Sequence, residues 1–162
     1  MRMLFDAIRA LIYSAAFIYF WSYTAWWVRR YDASLGVSLP AWLLIPGVVL
    51  VVFGVAIALS CIITFVMRGR GTPAPFDAPR ELVAAGPYRW VRNPMYLGAG
   101  LVIVGYAFYV HSVSVLLLAA AMWIAVHLFV YFYEEPTLRA KFNGSYENYC
   151  REVARWLPRP PR

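Results

Sequence analysis

Three short stretches hold most of the side chains that can do chemistry. The first is Gly86-Pro87-Tyr88-Arg89-Trp90-Val91-Arg92-Asn93-Pro94-Met95-Tyr96-Leu97-Gly98. Arg89, Arg92 and Asn93 crowd several hydrogen-bond donors just before Pro94, a residue suited to the first turn of a helix. With the positive end of that helix they can hold a carboxylate or a phosphate. The same arginines serve equally well as interfacial residues that reach up to lipid phosphates. Gly98-Ala99-Gly100 also reads two ways: small residues let membrane helices pack closely, and they let a flat ligand approach the backbone. A dinucleotide fingerprint is excluded, because no strand precedes these glycines and the third glycine is missing.

The second stretch is His127, Tyr131, Glu134 and Glu135, whose helical spacing sets them along one stripe. Two adjacent carboxylates at a membrane boundary are costly unless they meet cations. A solvated pair just outside the bilayer is the alternative, but an imidazole, a phenol and two carboxylates together point to a polar site. The third stretch is Phe142-Asn143-Gly144-Ser145-Tyr146, followed by Tyr149 and Arg151. By spacing it is an amphipathic tail helix against the membrane face. No His or Cys cluster has metal-ligand spacing, so no metal is expected. Cys61 and Cys150 read as unpaired thiols.

The elements that must position these groups follow from where charge is absent. Of 162 residues, 62% are hydrophobic, 18% aromatic and only 14% charged, and the mean hydropathy is +0.60. Neither an ordinary soluble domain nor a disordered chain has that composition. Ala10 to Val28, Ala33 to Met67 and Asn93 to Tyr133 contain no Asp, Glu, Lys or Arg. A membrane crossing takes about 20 apolar residues. These runs predict an all-α membrane bundle of four spans, at about 8–28, 41–67, 94–110 and 112–133, in a single domain covering 1–162. The hairpin bend is placed at Tyr109-Val110-His111-Ser112. The loop 68–93, with Pro73, Pro75, Pro79 and Pro87, should be irregular but stiff.

The tail 134–162 should be helical, with a new, differently directed helix from Pro136 and a last short one from Tyr146 to Val153. Trp26-Trp27-Val28-Arg29-Arg30 closes the first run with an aromatic and basic anchor and no cleavage site, so a retained helix is expected rather than a signal peptide. Four spans put thirteen of the fifteen basic residues on one side and only Arg29 and Arg30 on the other. By the positive-inside rule, both termini and the site are then cytoplasmic. The net charge of +7 is thereby a topology signal, and no nucleic-acid partner is expected.

Gly-Pro-Tyr-Arg, then Val-Arg-Asn-Pro-Met-Tyr-Leu-Gly, then Glu-Glu-Pro-x-Leu and Phe-x-x-x-Tyr-x-x-Tyr, taken in this order from Gly86 to Pro158, resemble the isoprenylcysteine carboxyl methyltransferase and phospholipid methyltransferase superfamily. The resemblance implies an integral membrane enzyme that uses S-adenosylmethionine. Its cofactor lies at the cytoplasmic end of a helical hairpin, and its lipid or lipid-anchored substrate enters from the bilayer. Carried over, Asn93, Pro94, Tyr96, Leu97, Gly98 and Gly100 line the cofactor together with His127, Tyr131, Glu134 and Glu135. Arg92 and Glu135 take the catalytic roles, and Arg89 and Tyr149 face the substrate. The chain departs from the family at two positions. Asn93 stands where many carboxyl methyltransferases have His, and Asn cannot titrate. Asn143 stands where Gly is usual after Phe, and Asn tolerates a left-handed turn.

The chemistry is consistent with that resemblance. Carboxylates suit the sulfonium and ammonium of S-adenosylmethionine, and arginines suit its carboxylate. Methyl transfer is an in-line displacement that depends on positioning and on exclusion of water. The first reading is a carboxylate acceptor, as in an isoprenylcysteine, which needs no base, with a phospholipid amine as the runner-up. A phospholipid amine must lose a proton, for which Glu135 or a water is a candidate. Two non-catalytic alternatives are a small transporter, which usually needs a charge deep in a span, and a lipid-binding adaptor, which has no use for the polar stripe.

Overall fold

The computed structural model describes residues 2–65, 67 and 82–158. Pro73, Pro75 and Pro79, Arg68, Arg70 and Arg80, and the C-terminal Arg159 to Arg162, all used in the sequence reading, lie outside the described residues. The described residues are helical and contain no strand. The helices are α1 (Arg2–Val28), a single turn α2 (Asp32–Leu35), α3 (Leu44–Thr64), α4 (Pro94–Tyr109), α5 (Val113–Phe129), α6 (Glu135–Phe142) and α7 (Gly144–Glu152).

Among the described residues, two helices are long and apolar enough to cross a membrane. They are Ala41–Thr64, which is α3 with its leading turn, and Val113–Phe142. Twenty-four residues at about 1.5 Å each extend about 36 Å, against a hydrocarbon core of about 30 Å. The α4 helix is apolar but shorter. The α1 helix is long, but Tyr, Trp and Ser dilute its apolar character. The α3 surface supports a lipid environment, because Ile45, Val49, Val52, Phe53, Leu59 and Ile63 are all exposed along it.

A glycine seam holds α3 to α4. A Cβ on Gly54 would stand 2.5 Å from the Gly98 carbonyl oxygen, and one on Gly105 would stand 2.6 Å from the Gly47 carbonyl oxygen. Backbone approach this close brings the two helices into extensive van der Waals contact that a side chain at these positions would block. The hairpin joining α4 to α5 turns at Val110, His111 and Ser112, with His111 at φ 55. Ser112 caps α5 by accepting from the Val115 N–H at 3.1 Å. Behind the hairpin, Ala25 of α1 joins Ile103, Ala107, Val115, Ala119 and Met122 in one core cluster. The α1–α3 connection is tied to the hairpin tip, where Ser114 N donates to Asp32 Oδ1 at 2.9 Å and Leu39 N donates to His111 O at 3.1 Å. Burial opposes the charged form of Asp32, but hydrogen bonds from Ser112 and Ser114 and the nearby Arg29 outweigh it and hold this carboxyl below its usual range.

The expected fresh start at Pro136 is not found: α5 runs into α6 through a π-helical turn, Val130–Glu134, as one helix of 30 residues. A π turn shifts the backbone hydrogen-bond register, which lets the helix pass a proline that has no N–H to give. At about 45 Å this helix overreaches the hydrocarbon core, so its charged end, from Glu134 to Lys141, is the part that must stand clear of it. The last helix also begins two residues earlier than expected, at Gly144. Asn143 makes the break between α6 and α7 with φ 46 and ψ −129. That conformation lies outside the left-handed helical basin and belongs to the first central position of a type II′ turn.

Candidate functional site

Four pieces of chain converge where α4 begins and α5 ends. Cys61 and Phe65 at the end of α3 pack against Val83 and Tyr88 of the loop. A short 3-10 turn, Gly86–Arg89, leads to Asn93 and then to Pro94 as the first residue of α4. Tyr146, Tyr149 and Val153 of the tail form a cluster that reaches Leu82 and Leu138. Tyr149 binds the loop directly, its hydroxyl donating to the Tyr88 carbonyl at 2.7 Å. The fourth piece is the π turn and start of α6, which carries the two glutamates.

These pieces enclose a cavity of about 60 Å³, lined by the rings of Phe65, Tyr88, Tyr146 and Tyr149, by Leu82, Val83 and Leu138, and by Arg92, Asn93, Glu134 and Glu135. That is room for a few water-sized groups, the scale of a polar head group. Burial pushes the Tyr88, Tyr146 and Tyr149 phenols above their ordinary value. At neutral pH they are therefore donors and π faces rather than bases.

The adjacent glutamates do different work. Glu135 is only 4% exposed. Arg155 grips it through both oxygens, Nε to Oε1 at 2.7 Å and Nη2 to Oε2 at 2.9 Å, and Arg92 Nη1 stands 3.2 Å from Oε1. That fork is the main reason the Arg155 guanidinium is held above its ordinary range. Glu134 instead accepts from the Tyr96 hydroxyl at 2.9 Å, and no cation pairs with it among the described residues. Arg92 also donates to the Cys150 sulfur, yet its buried Nε has no partner. Asn93, 7% exposed, gives its Nδ2 to the Arg155 carbonyl at 3.2 Å.

Of the residues singled out in the sequence, Arg92, Asn93, Glu134, Glu135 and Tyr149 come together around the cavity, and Tyr96 touches it through Glu134. The others sit elsewhere. Arg89 is exposed. Gly98 is spent on the seam with Gly54, and Gly100 lies 3.8 Å from the Trp123 ring, measured from where a Cβ would stand. Leu97 and Pro94 belong to the first turn of α4, whose Leu97 N–H bonds back to the Asn93 carbonyl. The stripe on the long helix also divides. His127 accepts at Nδ1 from Trp156 Nε1 at 3.1 Å, and Tyr131 lies under the Arg155 guanidinium at 5.3 Å. Those two and Glu135 thus meet the C-terminal segment, whereas Glu134 turns toward Tyr96.

Arg155 and Trp156 carry no local signature. They follow the last helix and act on residues 20 and 29 positions away, which only folding brings near. Tyr88 was part of the first stretch, and its burial beside Phe65 and Cys61 follows from the path of the loop.

No curated protein and no solved structure matches the chain. Residues 42–145 match the phospholipid methyltransferase family, a stretch that takes in α3, the α4–α5 hairpin, the Arg92-Asn93-Pro94 corner and both glutamates. With more than half of its length matched, this chain belongs to the phospholipid methyltransferase family.

Proposed function

We propose that the protein is an integral membrane methyltransferase that uses S-adenosylmethionine, whose charged amino-acid end is held at the cavity between Arg92 and Glu134. The observation that carries the reading is the unequal state of the charges there. Arg92 keeps a buried Nε without a partner, and Glu134 keeps a carboxylate held, among the described residues, by a phenol. One suits the carboxylate of the cofactor and the other its positive groups, while Phe65, Tyr88, Tyr146 and Tyr149 offer π faces to a sulfonium. The cofactor supplies an electrophilic methyl group. The chain's own part is to fix both reactants in line and to keep water out of a tyrosine-walled site.

The acceptor is a hydrophobic or lipid-anchored molecule reaching the site from the bilayer. A phospholipid amine is favoured over an isoprenylcysteine carboxylate by one feature. Among the described residues the cavity's cation is Arg92, already shared with Glu135, whereas Glu134 and four rings suit an ammonium. An amine must lose its proton, and Glu134, facing the cavity, is better placed to receive it than Glu135, whose two oxygens are both gripped by Arg155. The carboxylate acceptor stays the second reading, on the strength of the motif resemblance. In the membrane, α1, α3, α4 and α5 form four spans, with both termini and the site on the cytoplasmic side, as the arginine distribution favours.

Calorimetry with S-adenosylmethionine on purified protein in mild detergent should show one site, and absence of binding overturns the proposal. A labelled-methyl assay against total membrane lipid then separates the acceptors: base-stable label in an amine head group supports the first reading, and base-labile methyl ester the second.

A further inference from the structure

Beyond the last helix the chain runs as a short strap, residues 153–156, between the start of α4 and the end of α5. Main chain and side chains both secure it. Arg92 N donates to Ala154 O at 2.9 Å and Asn93 Nδ2 to Arg155 O at 3.2 Å. Trp156 binds His127 and packs on Trp123 with ring centroids 4.6 Å apart. Arg155 lies over Tyr131 and forks onto Glu135. All this sits beside the cavity, yet Arg155 itself does not line it.

We propose that Arg155 is a positioning residue for the methyl transfer assigned above, on which this inference rests: it keeps Arg92 competent to bind the cofactor. The argument is one of geometry. A carboxylate offers two oxygens in a plane, and a guanidinium prefers to take both. With Arg155 on both oxygens of Glu135, Arg92 is left an end-on contact through Nη1 to Oε1 at 3.2 Å. Its Nε is buried without a partner, and Arg92 is among the residues that line the cavity. Without Arg155, Glu135 is open to a two-point grip by both terminal nitrogens of Arg92, which would draw the guanidinium from the cavity. The strap also loses its only ion pair among the described residues.

The test uses full-length protein in detergent with two ligands, S-adenosylmethionine and its decarboxylated analogue, which lacks the group that Arg92 would receive. Arg155→Ala should weaken S-adenosylmethionine about 10- to 100-fold, the worth of a hydrogen bond to a charged group, and leave the analogue within about twofold. Arg155→Lys, which keeps the charge without the fork, should fall between wild type and Arg155→Ala. Strap release is read separately by alkylation of Cys150 with a water-soluble maleimide. Cys61, the chain's other cysteine, is fully buried. Arg155→Ala should speed the Cys150 reaction. Equal loss of both ligands, or no loss of either, overturns the proposal. If Arg155→Ala does not fold, Arg155→Lys decides: wild-type affinity for S-adenosylmethionine overturns it. If wild-type protein binds neither ligand, the methyltransferase assignment fails, and alkylation alone then judges the strap.

Discussion

Replacing each glutamate of the pair by glutamine should have opposite consequences. Glu135 is nearly inaccessible and is the counter-ion of two arginines, of which Arg92 is itself largely buried and Arg155 about a quarter exposed. Glu135→Gln leaves two guanidinium groups with no anion between them. Breaking a buried pair in this way costs about 3–5 kcal/mol. Water around Arg155 and the amide oxygen that Gln retains put the expectation at the lower end, about 3 kcal/mol. For a chain of this size that lowers Tm by roughly 6–12 °C. Glu134→Gln removes a carboxylate whose partner is the Tyr96 hydroxyl, and an amide oxygen still accepts that bond. The loss there is the difference between a charge-assisted and a neutral hydrogen bond, about 1 kcal/mol. Affinity for S-adenosylmethionine should show the converse for Glu134→Gln, falling about 10-fold or more while the fold persists. Thermal unfolding followed by circular dichroism, with calorimetry on the same samples, reads both effects. A Glu135→Gln protein that melts like wild type but has lost the ligand would refute the division of labour, and would make Glu135 the ligand-facing carboxylate.

Gly98→Ala should destabilise the α3–α4 pair by about 1–3 kcal/mol, because its Cβ meets the Gly54 carbonyl oxygen at 2.8 Å. Gly100→Ala meets only the Trp123 ring at 3.8 Å and should melt as wild type does. A comparable loss of stability in both would contradict the seam. Asn143→Gly should raise stability by about 1 kcal/mol, since φ 46 with ψ −129 costs an L-residue strain that glycine avoids. A lower Tm would count against that account. Asp32 has its carboxyl held below the usual range, so its contribution is present at neutral pH and is lost as acid protonates it in the folded state. Asp32→Asn should therefore flatten the acid side of the Tm–pH profile while keeping an acceptor for Ser114 N. An unchanged profile would remove Asp32 from the account.

The charge-free runs determined helices in a membrane-like setting, because continuous apolar runs this long exceed a spanning strand and a helix satisfies its backbone within itself. Pro94 and the Tyr109–Ser112 bend marked helix ends by chemistry that is local, the first being a proline at a first turn. The ordered motifs from Gly86 to Tyr149 identified the family, and Arg92, Asn93, Glu134 and Glu135 were named from residue types alone. Tertiary structure decided what each of them does. Spacing sets Glu134 and Glu135 side by side and both line the cavity, but a π turn and an arginine 20 residues farther on leave one carboxylate on the Tyr96 hydroxyl and the other on the strap. Gly98 read as packing surface ahead of ligand surface, and α3 lies against it. His127 and Tyr131 had the right stripe and met Trp156 and Arg155 instead of the cavity. Sequence periodicity records which residues share a face of one helix. What that face meets depends on contacts between segments far apart in the chain, and these are set only when the chain has folded.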